Sequence, residues 1–248
     1  MSELSGRSAV VVGASRGLGR GIATALADAG ADVIAVARTG SALADLVART
    51  PRVRPEVADA VDATSAGSLL DRYDPDVVVL VAGASPLARP LHQHTWETFS
   101  VNWRTDVRMT FAWVRAALLK PLRPGSRIVV VSSGAALAGS PLSGGYAGAK
   151  STQRFITAYA AEEAQRAELD ITLTAVLPQL TPLTDPGRAA VAAYAARQGQ
   201  SVGDYLAQRG EPLSPELAGA SLVDLLRTEA AETAPEYLLT GAGLQPLA

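Results

Sequence analysis

The chain has 248 residues, 48% of them hydrophobic and 19% charged, with a net charge of −2 at neutral pH. Without a block of like charges we expect no nucleic-acid and no membrane partner. Without cysteine, disulfides and thiolate metal sites are excluded. The first apolar run stops at Gly13, too short for a signal peptide, and no stretch is long enough to span a bilayer, so a cytoplasmic location is expected.

The first strand candidate is SAVVV (Ser8–Val12), followed by helical spacing over Leu18–Ala29. Between them Gly13, Gly17 and Gly19 keep a G-x-x-x-G-x-G spacing. Glycines at a strand–turn–helix junction allow a sharp turn and close backbone approach to a pyrophosphate, which the helix N-terminal amides then hold. The second strand, Asp32–Ala37, ends without the acid that would bind both ribose hydroxyls of NAD. Arg38 follows it instead, and Arg16 sits in the glycine loop. Two guanidinium groups and no carboxylate suit a 2′-phosphate, so NADPH/NADP+ is expected in preference to NADH.

Further along, helical spacing over Ser41–Arg49, Ser65–Tyr73, Thr95–Leu119 and Tyr146–Glu168 alternates with strand candidates. These are Pro55–Val61, Asp76–Ala82, Ser126–Ser132, Ile171–Leu177 and Glu236–Thr240. The strands are valine-rich and continuous, as strands buried on both faces are. The expectation is a Rossmann-like, doubly wound α/β fold: one domain over 1–248, with a mostly parallel seven-stranded sheet and helices on both faces. The irregular stretch 178–215 carries two short helical patterns, Arg188–Arg197 and Val202–Arg209, and is expected to be a substrate-binding lid. Tyr194 and Tyr205 on it either line an apolar pocket or lie on the surface. His92 and His94 have no carboxylate or cysteine spaced as a metal partner, so they are read as loop residues and no metal site is expected.

Tyr146 and Lys150 stand four residues apart behind Gly144 and Gly145. Positions i and i+4 share a helical face, which brings the ammonium beneath the phenol, and a nearby cation favours a phenolate.

Taken together these motifs resemble the short-chain dehydrogenase/reductase family over nearly the whole chain. The glycine motif is Gly13-Ala-Ser-Arg-Gly17-Leu-Gly19; Asp62 in VDATS stands for the acid after strand three, Asn102 in FSVNW for the asparagine after strand four, and Ser133 for the serine 13 residues before Tyr146. The resemblance implies hydride transfer between the nicotinamide and a ketone or secondary alcohol, with Asn102, Ser133, Tyr146 and Lys150 as the catalytic residues. It further implies that the cofactor is held by Gly13, Ser15, Arg16, Gly17, Leu18, Gly19, Arg38, Asp62, Ala63, Ala82, Gly83, Tyr146, Lys150, Pro178 and Thr181, with Thr184 the other threonine in reach of the carboxamide. In relatives the lysine holds the ribose hydroxyls, the asparagine orders a relay water, and the stretch around Trp96, Trp103 and Trp113 forms a dimer face with the Tyr146 helix. A homodimer or homotetramer is therefore expected.

Two departures stand out. Leu80-Val81-Ala82-Gly83 replaces the usual Asn-Asn-Ala-Gly, and Pro178-Gln179 replaces Pro-Gly. They motivate an alternative, a dinucleotide-binding regulator or scaffold without catalysis, against which the intact Ser133, Tyr146 and Lys150 weigh. A third reading, epimerisation or dehydration, belongs to longer relatives. The sparse charge of the 178–215 stretch points to a largely apolar carbonyl or alcohol substrate.

Overall fold

The computed structural model describes residues 3–247. Its strands are β1 (Ser8–Val12), β2 (Asp32–Ala37), β3 (Val53–Val57), β4 (Val77–Leu80), β5 (Ser126–Val131), β6 (Ile171–Pro178), β7 (Glu236–Thr240) and β8 (Gly243–Pro246). They form one sheet in the order β3-β2-β1-β4-β5-β6-β7-β8, parallel from β3 to β7. The helices that bear on the site are α1 (Gly17–Asp28), α2 (Gly40–Arg49), α3 (Ala63–Tyr73), α4 (Trp96–Phe99), α5 (Arg108–Leu119), α6 (Ala135–Ala138), α7 (Gly144–Arg166), α8 (Asp185–Arg197), α9 (Val202–Ala207) and α10 (Pro215–Arg227).

Strand alternation divides the core into two layers. Ala9 and Val11 of β1 point into a cluster with Ile22 and Leu26 of α1, Leu43 of α2 and Leu222 of α10. Val10 and Val12 point the other way, towards Leu69 of α3, Met109 and Trp113 of α5, and Ala160 of α7. Both faces of the strand are buried, which is why it reads as an unbroken run of small apolar residues. The fold is the Rossmann-like, doubly wound arrangement that the alternating pattern predicts.

Several boundaries differ from the sequence expectation. β4 ends at Leu80 because the amides of Val81 and Ala82 both turn to the Val12 carbonyl, at 3.0 and 2.8 Å. The chain thereby peels away where the strand order reverses between β1 and β4. β3 lies earlier than expected and includes Pro55, which an edge strand tolerates because it need not donate on its open side. The helix expected over Thr95–Leu119 is interrupted. α4 is capped by Thr95, the chain bends at Ser100, and the five residues Trp103–Val107 form a π-helical turn before α5. An eighth, antiparallel strand, β8, is added to the seven expected; it pairs with β7 across a tight turn in which Gly243 has φ +97°.

Candidate functional site

The residues singled out in the sequence gather at the C-terminal ends of the parallel strands, where the switch in strand order opens a crevice. At the β1–α1 turn Gly13 has φ +98°, and a Cβ there would stand 2.6 Å from the Ala82 amide nitrogen. A Cβ at Gly19 would stand 2.2 Å from the Gly13 carbonyl oxygen. Only glycine allows this cradle. Arg16, the N-cap of α1, gives the helix no side-chain cap, so the first-turn amides face the crevice uncapped by protein. Uncapped amides at the positive end of a helix dipole, reached over a glycine turn, fit a pyrophosphate.

Around the cradle, Arg16 and Arg38 are exposed, and among the described residues neither side chain makes an ion pair or hydrogen bond. Asp62, at the end of the β3 loop, is the N-cap of α3. It accepts from the amides of Thr64 at 3.0 Å and Ser65 at 3.2 Å and from the Ser65 hydroxyl at 2.8 Å. Those bonds, the Ser65 hydroxyl first, hold its carboxyl below the usual carboxylate range. Ala63 begins that helix, and Ala82 and Gly83 follow β4.

β5 delivers Ser132 and Ser133. The Ser132 hydroxyl donates to the Lys150 carbonyl at 2.8 Å and ties α7 to the strand, whereas the Ser133 hydroxyl remains at the crevice and accepts from the Ala135 amide at 3.2 Å. Of the two glycines before Tyr146, Gly145 sets the approach: a Cβ there would stand 2.0 Å from the Phe99 carbonyl oxygen, while at Gly144 the nearest neighbour is 3.9 Å away. Tyr146 is half-buried, Lys150 is buried, and the ammonium lies 5.6 Å from the centre of the phenol ring. Lys150 also donates to the Val131 carbonyl at 3.3 Å. Asn102, fully buried, donates to the Ala84 carbonyl at 2.7 Å.

Over this end lies the 178–215 segment. Val191, Ala195 and Tyr205 form a small apolar cluster separate from both sheet layers. The rings of Tyr194 and Tyr205 stack with centroids 6.5 Å apart, and the Arg209 guanidinium covers Tyr205 at 3.7 Å. Tyr205 is thus neither a surface residue nor a pocket wall but the centre of this cluster, and burial pushes its phenol up. The Tyr194 hydroxyl bonds Ser140 and reaches Ser143 at 3.3 Å, which fastens α8 to the loop that leads into α7. Thr181 is buried and donates to the Leu213 carbonyl at 2.6 Å, whereas the Thr184 methyl lies against Gly17, 3.4 Å from a Cβ there. His94 bonds Thr98 at 3.1 Å and packs edge-on to Phe99, in the loop position expected. Of the tryptophans, Trp113 is core and donates to the Ala60 carbonyl at 3.0 Å, while Trp96 and Trp103 are exposed.

Sequence reasoning passed over Asp106, which is fully buried beside Lys150, and the Ser140–Ser143 pair. Asp106 had a signal: it stands four residues after Asn102, the spacing that pairs Tyr146 with Lys150. The serines had none, because a bond between distant segments leaves no local pattern.

The chain is similar to several known proteins. A 35% identical stretch of 134 residues is shared with an L-xylulose reductase of Cavia porcellus, covering 52% of this chain and 54% of that protein. A D-erythrulose reductase of Gallus gallus is 34% identical over 132 residues, 52% and 53% of the two chains. The chain spans about half the length of these curated relatives. A hydroxynaphthalene reductase-like protein of Metarhizium majus is 30% identical over 193 residues, 71% and 68% of the two chains. The crystal structure of a short chain dehydrogenase from Mycobacterium avium has the same fold, with a TM-score of 0.79 at 22% identity over 100% of this chain and 86% of that one. Residues 7–194 match the family of short chain dehydrogenases as a whole, and it is to this family that the chain belongs.

Proposed function

We propose that the chain interconverts a ketone and a secondary alcohol with NADPH, Tyr146 acting as acid and base. The observation that carries this reading is the buried Lys150 ammonium, 5.6 Å from the Tyr146 ring, beside a glycine cradle that fits a dinucleotide. When bound, the nicotinamide supplies or accepts the hydride. Tyr146 gives its proton to the substrate oxygen on reduction and takes it back on oxidation. The adjacent ammonium stabilises the phenolate left behind. Ser133 donates a hydrogen bond to the same substrate oxygen and orients it. Asn102 acts at a distance, through the lysine. Arg16 and Arg38 are free to take the 2′-phosphate, which favours NADPH over NADH. The carboxamide is assigned to Thr184 in preference to Thr181, whose hydroxyl is already given to Leu213.

The 178–215 segment serves as the cover of the substrate site within a single catalytic domain. The segments after β4, β5 and β6 each expose a leucine, Leu87, Leu137 of α6 and Leu183, which supports a largely apolar substrate. Trp103, Phe111, Phe155 and Tyr159 make an exposed aromatic face around α5 and α7 that would pair copies as a dimer or tetramer.

The test is loss of NADPH absorbance with L-xylulose, erythrulose, hydroxynaphthalenones, quinones and bulky alkyl ketones. Turnover of at least one, lost by a factor of about 10² or more in Tyr146→Phe, is expected. NADPH binding with no turnover on any substrate, or turnover unaffected by Tyr146→Phe, would overturn the reading.

A further inference from the structure

One buried charge has no part in that mechanism. Asp106 lies on the π-helical turn, its side chain 1% exposed, with Oδ2 3.2 Å from Lys150 Nζ, itself 6% exposed. Oδ1 accepts from the Ala84 amide at 2.9 Å and from Asn102 Nδ2 at 3.2 Å. Oδ2 accepts no aligned hydrogen bond among the described residues, so the ammonium faces it as an ionic neighbour. A carboxylate this deep requires a compensating cation, and the ammonium equally requires an anion. The backbone makes room for the pair: a Cβ at Gly83 would stand 2.8 Å from Oδ2. An ammonium has three N–H donors. One reaches Val131 and the contact with Asp106 is ionic, which leaves donors for the cofactor.

We propose that Asp106 is the counter-charge of the nicotinamide end of the site. Its carboxylate offsets the Lys150 ammonium, so the cationic oxidised ring enters a site that is already balanced. The inference rests on the dehydrogenase reading above. Asp106 is a positioning residue: it touches the lysine, and it acts on cofactor and substrate only through that ammonium and its field. The carboxylate therefore favours NADP+ over NADPH, since only the oxidised ring carries the positive charge.

The test is calorimetric titration of wild type and variants with NADPH and NADP+, read as the ratio of the NADP+ to the NADPH dissociation constant. Asp106→Asn should raise that ratio roughly tenfold, the scale set by a unit charge nearby in a poorly screened site. Lys150→Met should lower it, and Asp106→Leu with Lys150→Met should return it near the wild-type value. A purely structural role would weaken both nucleotides alike and leave the ratio unchanged in Asp106→Asn, which overturns the proposal; so does a fall. If Asp106→Asn does not fold, Lys150→Met is compared with the double variant, which buries no charge here. Equal ratios in those two overturn the proposal. A wild-type protein that binds neither nucleotide sinks the dehydrogenase reading itself, an outcome distinct from binding with an unmoved ratio.

Discussion

Tyr194→Phe removes a single hydroxyl from the contact between α8 and the loop entering α7. That hydroxyl bonds Ser140 and lies 3.3 Å from Ser143. The two serines stay bonded to each other at 2.7 Å, and the half-buried Ser140 can turn a released hydrogen to water. The ring keeps its stack on Tyr205, and the small apolar cluster keeps its volume. What is lost is one net hydrogen bond, about 1 kcal/mol. That corresponds to about a fivefold rise in the population with the segment detached. Hydrogen exchange followed by mass spectrometry on residues 185–207 should show about fivefold faster exchange there, with the sheet unchanged, because this cluster is separate from both sheet layers. Unchanged exchange in α8, or faster exchange spread through the sheet, would refute the argument that these hydroxyls hold the segment.

Arg38→Ala should weaken NADPH binding about tenfold or more and leave NADH binding nearly unchanged, measured by fluorescence titration; equal losses would remove the 2′-phosphate assignment. Gly13→Ala forces a side chain into φ +98° and against the Ala82 nitrogen. It should cost about 1–3 kcal/mol of stability from strain and lower nucleotide affinity with it, read by thermal melting with and without NADPH. The Asp62 cap should make the first turn of α3 sensitive to acid. Its carboxyl is held below the ordinary value, so its contribution is present above about pH 4 and is lost as pH falls through the folded-state value. Exchange of the Thr64 and Ser65 amides should accelerate on acidification, and Asp62→Ala should abolish that dependence.

The architecture was legible because its signals are local. Valine runs buried on both faces, helices with one apolar stripe and the glycine turn each carry their evidence within a dozen or so residues. The same holds for Tyr146 and Lys150, whose spacing alone brings them together. β8 escaped notice because GLQP has no apolar run; its pairing is dictated by the turn after β7. The π-helical turn escaped because helical spacing continues through it. The Asp106–Lys150 contact joins residues 44 positions apart, as read from their numbers, and only the packing of α7 beside that turn brings them together. Tyr205 could not be placed for a related reason: an aromatic in a short helix is buried or exposed according to a cluster assembled from neighbouring segments.

The cluster of Val191, Ala195 and Tyr205 has its own small interior. Substitutions inside it need not propagate into the strands that carry the glycine turn. On the proposed reading, this cover can be reshaped from within while the glycine turn and the Tyr146–Lys150 pair keep their places.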